Sequence, residues 1–188
     1  MGAALLAVPA AGEAHSSVIR ERGSTLVYEQ LGSKPEFQMN RLTVTDGSGD
    51  LRGYWRFRDP PTVGITNRPP CVPLDPGDEQ VVCPTTGFKE LLVLTKLGSD
   101  RVTIATSKTV EVHGGVGNDR LYGGPGRSRL LGETGDDRLV AGRNGGATLD
   151  GGTGIDVLDA RNGKRDTIVV CGDDEVKRDA ADVTRSGC

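Results

Sequence analysis

A nine-residue glycine period, one large aliphatic side chain in each period and the lack of any convincing helical period predict an all-β chain. The expected architecture is a parallel β-roll, or β-solenoid, of nonapeptide repeats behind an N-terminal β-strand-rich region. Aligned on leucine, the units are 114–122, 123–131, 132–140, 142–150 and 151–159, with Ala141 as an extra residue. Leu121, Leu130, Leu139, Leu149 and Leu158 are spaced 9, 9, 10 and 9 residues apart. A degraded sixth unit contains Asp166 and Ile168.

Composition agrees with a thin core. Of 188 residues 28 are Gly, hydrophobic residues make up 35% and aromatics only 4%, so an aromatic-rich core is not expected. Lys and Arg number 23 against 26 Asp and Glu, giving a net charge of −3. The signs are interleaved, no basic block marks a nucleic-acid partner, and few aromatics are available for base stacking. No run reaches the roughly 18 apolar residues of a membrane span.

Residues 1–14 read as a signal-peptide remnant: small apolar residues resembling the end of a secretory h-region, with cleavage after Ala10 or Ala14. Residues 15–97 read as short strands and turns. The stretches 24–28 and 41–45 are β-rich, and Asp46-Gly47 is a turn signal. Trp55 and Phe57 alternate with Tyr54, Arg56 and Arg58, which places one face of that strand inside. Residues 91–94 read as a strand buried on both faces or nearly so. Four cysteines without C-x-x-C spacing argue for disulfides rather than zinc. The two most local closures, Cys71–Cys83 and Cys171–Cys188, are expected, each worth about 3 kcal/mol in the loop-entropy picture. The second would make 171–188 a disulfide-closed cap behind a roll spanning 98–170.

The repeat is G-G-x-G-x-D-x-U-x, with U a large aliphatic, and the units 114–122 and 151–159 match it in full. Over about 98–170 the chain resembles the RTX, or hemolysin-type, calcium-binding repeat proteins, and its flanks resemble secreted bacterial proteins that carry such repeats. The resemblance implies a right-handed β-roll with successive short strands on opposite faces, eighteen residues per coil. It also implies Ca²⁺ held between a loop and the loop one coil on. The first loop supplies the carbonyls of its second and fourth residues and its Asp; the next supplies the carbonyls of its first and third residues and its Asp. Ca²⁺ needs six to eight oxygens at about 2.3–2.6 Å, more than one such loop holds.

Position six reads Asp119, Ser128, Asp137, Ala147, Asp156 along the units. Alternate loops share an edge, so one edge is expected to carry ions and the other to be empty or weak. Carried over residue by residue, a first ion takes the carbonyls of Gly115, Gly117, Gly132 and Thr134 and the carboxylates of Asp119 and Asp137. A second takes the carbonyls of Glu133, Gly135, Gly151 and Thr153 with Asp137 and Asp156. Glu133, standing for a glycine, is expected to strain its loop, and Ala141 to threaten the register of the second site. Asp100 is a candidate start of the loaded edge one coil earlier. Arg120, Arg127, Arg129 and Arg138 oppose cation binding by repulsion, so affinities of about 10⁻⁴–10⁻³ M are expected, as in extracellular modules.

His15 and His113 read as surface residues, too few and too separated for a zinc enzyme. Asp173-Asp174-Glu175 reads as a solvated turn, more faintly as a further calcium site. The function expected is a secreted, non-enzymatic calcium-binding protein with a structural or surface-interaction role, its partners being calcium ions and an unidentified cell-surface or matrix component. The alternative is an extracellular polysaccharide-acting enzyme that uses the roll as a stabiliser, with Glu29, Glu36, Asp46, Asp50 and Asp59 as its available acids. A further alternative is a carbohydrate-binding module using Trp55 and Tyr54.

Overall fold

The computed structural model describes residues 15–31, 41–46, 53–58, 63–67, 71–74 and 80–187, and no helix occurs among them. The strands are β1 (His15–Arg22), β2 (Thr25–Leu31), β3 (Arg41–Asp46), β4 (Tyr54–Arg58), β5 (Val63–Asn67), β6 (Val72–Pro73), β7 (Gln80–Pro84), β8 (Glu90–Leu94) and β9 (Arg101–Ala105). They continue as β10 (Thr109–Val116), β11 (Arg120–Tyr122), β12 (Ser128–Thr134), β13 (Arg138–Val140), β14 (Thr148–Thr153), β15 (Val157–Asp159), β16 (Thr167–Val170), β17 (Glu175–Lys177) and β18 (Val183–Ser186).

Successive strands of the repeat alternate between two sheets, ordered β18-β16-β14-β12-β10-β8-β2-β1-β5 and β17-β15-β13-β11-β9-β3-β4-β7-β6. From β2 to β18 in one sheet and from β3 to β17 in the other, every pairing is parallel. The chain is therefore an all-β parallel solenoid. Leu121, Leu130, Leu139, Leu149 and Leu158 face inward and are fully buried. Leu121, Leu139 and Leu158 stack in one sheet, and Leu130 stacks on Leu149 in the other. Three-residue strands cannot stand alone; stacked coils share one core and satisfy each other's backbone groups.

The step between coils is 18 residues from Arg120 to Arg138 and 19 from Leu139 to Leu158. Ala141 thus lengthens a coil, as counted, but the expected loss of register does not occur. The extra residue is absorbed on the edge that carries Gly142 and Asn144. On the opposite edge the Gly135 N–H still meets the Thr153 carbonyl at 2.9 Å.

The N-terminal region changes the pairing rule. β1 with β2, β3 with β4, β4 with β7 and β6 with β7 are antiparallel. The core there turns aromatic: Tyr28 stacks on Phe57 at 6.1 Å, and Trp55 lies 6.4 Å from Phe88. One buried cluster runs without a break from Ile19 to Ile168. Cys71 and Cys83 are disulfide-bonded, tying the start of β6 to β7. Cys171 is also disulfide-bonded; Cys188, the partner expected for it, lies outside the described residues, as do 1–14.

Two expectations are corrected. Leu91 and Val93 are buried but Leu92 and Leu94 are half-exposed, so β8 is buried on one face only. Trp55 is fully buried, with its indole Nε1–H donating to Thr106 Oγ at 3.1 Å. Its ring is not available to stack on a sugar.

Candidate metal centre

The loops joining the first sheet to the second align as one edge. They are 95–100, 114–119, 132–137, 151–156 and a shorter turn at 171–174. Their second and fourth positions share a left-handed backbone. Gly115, Glu133 and Gly152 have φ of 103°, 78° and 93°, and Gly117, Gly135 and Gly154 have φ of 136°, 129° and 136°. Lys96 (φ 70°) and Gly98 (φ 121°) repeat the pattern one coil earlier. Glu133 therefore bears the strain expected of a side chain in this region. Its Oε1 is anchored to His113 Nδ1 at 2.6 Å, while His113 Nε2 lies 2.8 Å from Glu111 Oε1. His113 is accordingly a sheet-surface residue that touches the 132–137 loop through the Glu133 side chain.

Gly117 shows why the fourth position excludes a side chain. A Cβ there would overlap the carbonyl oxygen of Gly98 in the loop below. Gly117→Ala is expected to cost at least about 2 kcal/mol, combining left-handed strain with backbone displacement. Gly163→Ala also sits at positive φ, 74° against 136° at Gly117, but has open space around the new Cβ, and should cost roughly 1 kcal/mol. Urea denaturation of the two variants checks the ranking.

The sixth-position carboxylates form a ladder along this edge. Asp119 Oδ1 accepts the Asp100 N–H at 2.7 Å, Asp137 Oδ1 the Asp119 N–H at 2.7 Å, and Asp156 Oδ1 the Asp137 N–H at 2.8 Å. Asp174 Oδ1 continues it by accepting the Asp156 N–H at 3.1 Å. Each of these carboxylates thus tethers the coil before it. Asp100 and Asp174 have only faint sequence signals because their loops lack the Gly-Gly opening; an Asp directly before a strand is the usable clue.

The second carboxylate oxygens are different. Asp119, Asp137 and Asp156 are 1%, 2% and 0% exposed, and the Oδ2 of each is buried with no hydrogen-bond partner among the described residues. Each points at the first glycine of its own loop, and for Asp119 and Asp137 the carbonyl oxygen of the next loop's first residue shares that space. A Cβ on Gly132 would overlap Asp137 Oδ2 and come within 2.5 Å of the Gly151 carbonyl oxygen. A Cβ on Gly114 would likewise overlap Asp119 Oδ2 and approach the Gly132 carbonyl oxygen at 2.9 Å. Once the carboxyl is ionised, two acceptors are thereby gathered with no donor between them. The surroundings oppose charge: burial, assisted by neighbouring carboxylates, pushes Asp119 up to about 8 and Asp137 up to about 7, and raises Asp156.

The remaining expected oxygens sit in the same loops. The Thr134 and Thr153 carbonyls accept the Gly117 and Gly135 N–H groups at 2.8 and 2.9 Å, each keeping a second lone pair. Among the described residues no three His, Cys, Asp or Glu side chains converge as a metal cluster. Any cation here is held mainly by carbonyls.

The opposite edge is built otherwise. Ser128 and Ala147 occupy its sixth positions, followed by Asp166 and Asp182. Asp166 Oδ1 accepts the Ala147 N–H at 2.8 Å. Its Oδ2 accepts from Asn162 Nδ2 at 2.6 Å, and the same amide donates to the Gly142 carbonyl at 2.6 Å. On this edge a side-chain amide bridges carboxylate and carbonyl, the pair left without a donor on the first.

A family model of four copies of the RTX calcium-binding nonapeptide repeat matches residues 113–145. The segment 113–145 is of the RTX type. The unit 151–159 lies beyond the matched segment and has the same loop dihedrals and carboxylate contact as the units 114–122 and 132–140. No curated protein and no solved structure gives a significant match to the chain. Of the N-terminal acids weighed for catalysis, Glu29 pairs with Arg20 and with Lys96 Nζ at 2.5 Å, and Asp46 accepts from Thr106 and Ser107. Glu36, Asp50 and Asp59 lie outside the described residues.

Proposed function

We propose that this protein is a secreted calcium-binding β-roll, structural rather than catalytic in role, whose folding is coupled to extracellular calcium. The observation that carries this reading is the row of three buried, unpartnered Oδ2 atoms, of which those of Asp119 and Asp137 face the carbonyl oxygens of Gly132 and Gly151. A divalent cation relieves that arrangement, and an all-oxygen donor set suits Ca²⁺.

One ion would lie between the loops at 114–119 and 132–137. Its ligands would be the carbonyls of Gly115, Gly117, Gly132 and Thr134 with Asp119 and Asp137. A second would lie between the loops at 132–137 and 151–156, taking the carbonyls of Glu133, Gly135, Gly151 and Thr153 with Asp137 and Asp156. Secretion is supported by the cystine at Cys71–Cys83, since such bonds persist mainly in oxidising compartments. Outside the cell, millimolar calcium would saturate sites of the expected affinity and stabilise the roll by mass action.

Titration calorimetry with calcium, followed by EDTA, tests the reading. At ten times Kd each site should raise Tm by roughly 3–6 °C, reversed by the chelator. Absence of both heat and a Tm change sinks it.

A further inference from the structure

Seventh positions of the repeat follow the ladder aspartates directly and point outward. In the second sheet, cross-strand register sets Arg41 of β3 beside Arg101 of β9, Arg101 beside Arg120 of β11, and Arg120 beside Arg138 of β13. Four arginines thus stand in one row across four neighbouring strands, about 4.8 Å apart. Arg41, Arg101 and Arg120 are exposed and Arg138 is half-exposed. Arg138 Nη2 lies 4.0 Å from Asp159, while Arg41, Arg101 and Arg120 form no ion pair among the described residues. The Arg101 guanidinium lies over the Tyr122 ring at 4.7 Å, which holds it extended along the face. Beyond Arg138 the row continues as Val157 and Glu175, so the positive stretch ends there.

Like charges directly opposite one another across strands destabilise a sheet. Three such contacts in succession, in a chain of net charge −3, are a charge arrangement that a bound anion would relieve. The face is flat, the charges are collinear along the solenoid axis, and the parallel row beside them carries the hydroxyls of Thr43, Thr103 and Tyr122. We infer that this row is a docking surface for a linear acidic polysaccharide, its same-side uronate carboxylates, two sugars apart, lying on alternate arginines. A guanidinium pairs with a carboxylate in bidentate fashion, and a sugar ring is close in length to the strand spacing. A nucleic-acid strand fits less well: its units rise by about 3.4 Å, and Tyr122, whose ring Arg101 covers, offers little for bases to stack on. The row is set by β-sheet register and does not rest on the calcium reading.

The test is fluorescence anisotropy of a short labelled β-1,4-oligoglucuronate with the full chain in calcium, at low and high salt. The cello-oligosaccharide of equal length is its uncharged match. Binding of the uronate, weakened by salt and absent for the neutral sugar, is expected. The double variant Arg101→Gln, Arg120→Gln should lose about tenfold or more in affinity, while Arg129→Gln, on the other sheet, should not change it. Circular dichroism confirms that the variants remain folded. No binding at low salt, equal binding of the neutral sugar, an unchanged double variant, or tighter binding of a single-stranded oligonucleotide through the same arginines would each overturn the inference.

Discussion

Asp137→Ala is expected to abolish most of the calcium-dependent stabilisation of this protein, because Asp137 is the one carboxylate shared by both proposed ions. At ten times Kd the two sites together contribute about 3 kcal/mol, so the calcium-induced rise in Tm should fall by roughly 6–12 °C. In EDTA the same substitution should change much less. It removes the acceptor for the Asp119 N–H, which is destabilising, but also a buried carboxylate that the metal-free fold disfavours. Ser128→Ala is the matched control. Ser128 Oγ on the other edge is buried without a hydrogen-bond partner among the described residues, so its loss should leave stability nearly unchanged with or without calcium. Thermal melts of both variants in calcium and in EDTA decide it. Equal calcium responses of Asp137→Ala and wild type would remove Asp137 from the ligand set.

Asp137→Asn separates charge from shape. The amide keeps an oxygen for the Asp119 N–H and sets an N–H₂ group where Oδ2 stands, facing the Gly151 carbonyl. Asn162 already bridges the Asp166 carboxylate and the Gly142 carbonyl in this way. The Asn variant should therefore lose the calcium response while matching or exceeding wild-type stability in EDTA.

How much could be read beforehand follows from where the information lies. The spacing of Leu121 to Leu158 reports a repeating environment, and a repeating environment in short units has few solutions; the alternating sheets, the buried leucines and the shared edge of Asp119, Asp137 and Asp156 followed. The effect of Ala141 is not legible in sequence because a count of residues does not tell which edge takes up the excess. β2 and β3 were legible as strands but not as the parallel rungs under β8 and β9, since they carry no glycine period. Trp55 was ambiguous because period two fixes a face without fixing whether a strand from elsewhere covers it. The role of Asn162 was hidden for a related reason: its two acceptors belong to residues 20 positions before and 4 after it, joined only by the coiling. The arginine row depends on the same register. In sequence the arginines look like scattered bases that weaken calcium binding; stacked, they form a line.

The pH dependence of stability should differ with and without calcium. Burial raises Asp119 to about 8 and Asp137 to about 7 from an ordinary value of 3.8, and raises Asp156 and Asp166 as well. In the metal-free protein these groups hold protons that the unfolded chain has already lost. The stability they contribute is complete below about pH 4 and is lost as pH rises through 7 to 8. Glu29, held low mainly by its bond from Lys96, and Asp159, held low by Arg161, act oppositely and lose their contribution only in acid. Without calcium, Tm should therefore fall steadily between pH 5 and pH 9. With calcium the cation takes the place of the protons, so the calcium-induced rise in Tm should grow over that same interval. Binding at pH 6 should release protons, seen as a calorimetric heat that scales with the ionisation enthalpy of the buffer. A calcium response that is flat from pH 5 to pH 9, with no proton release, would show that the buried carboxylates of this edge are not the groups that meet the ion.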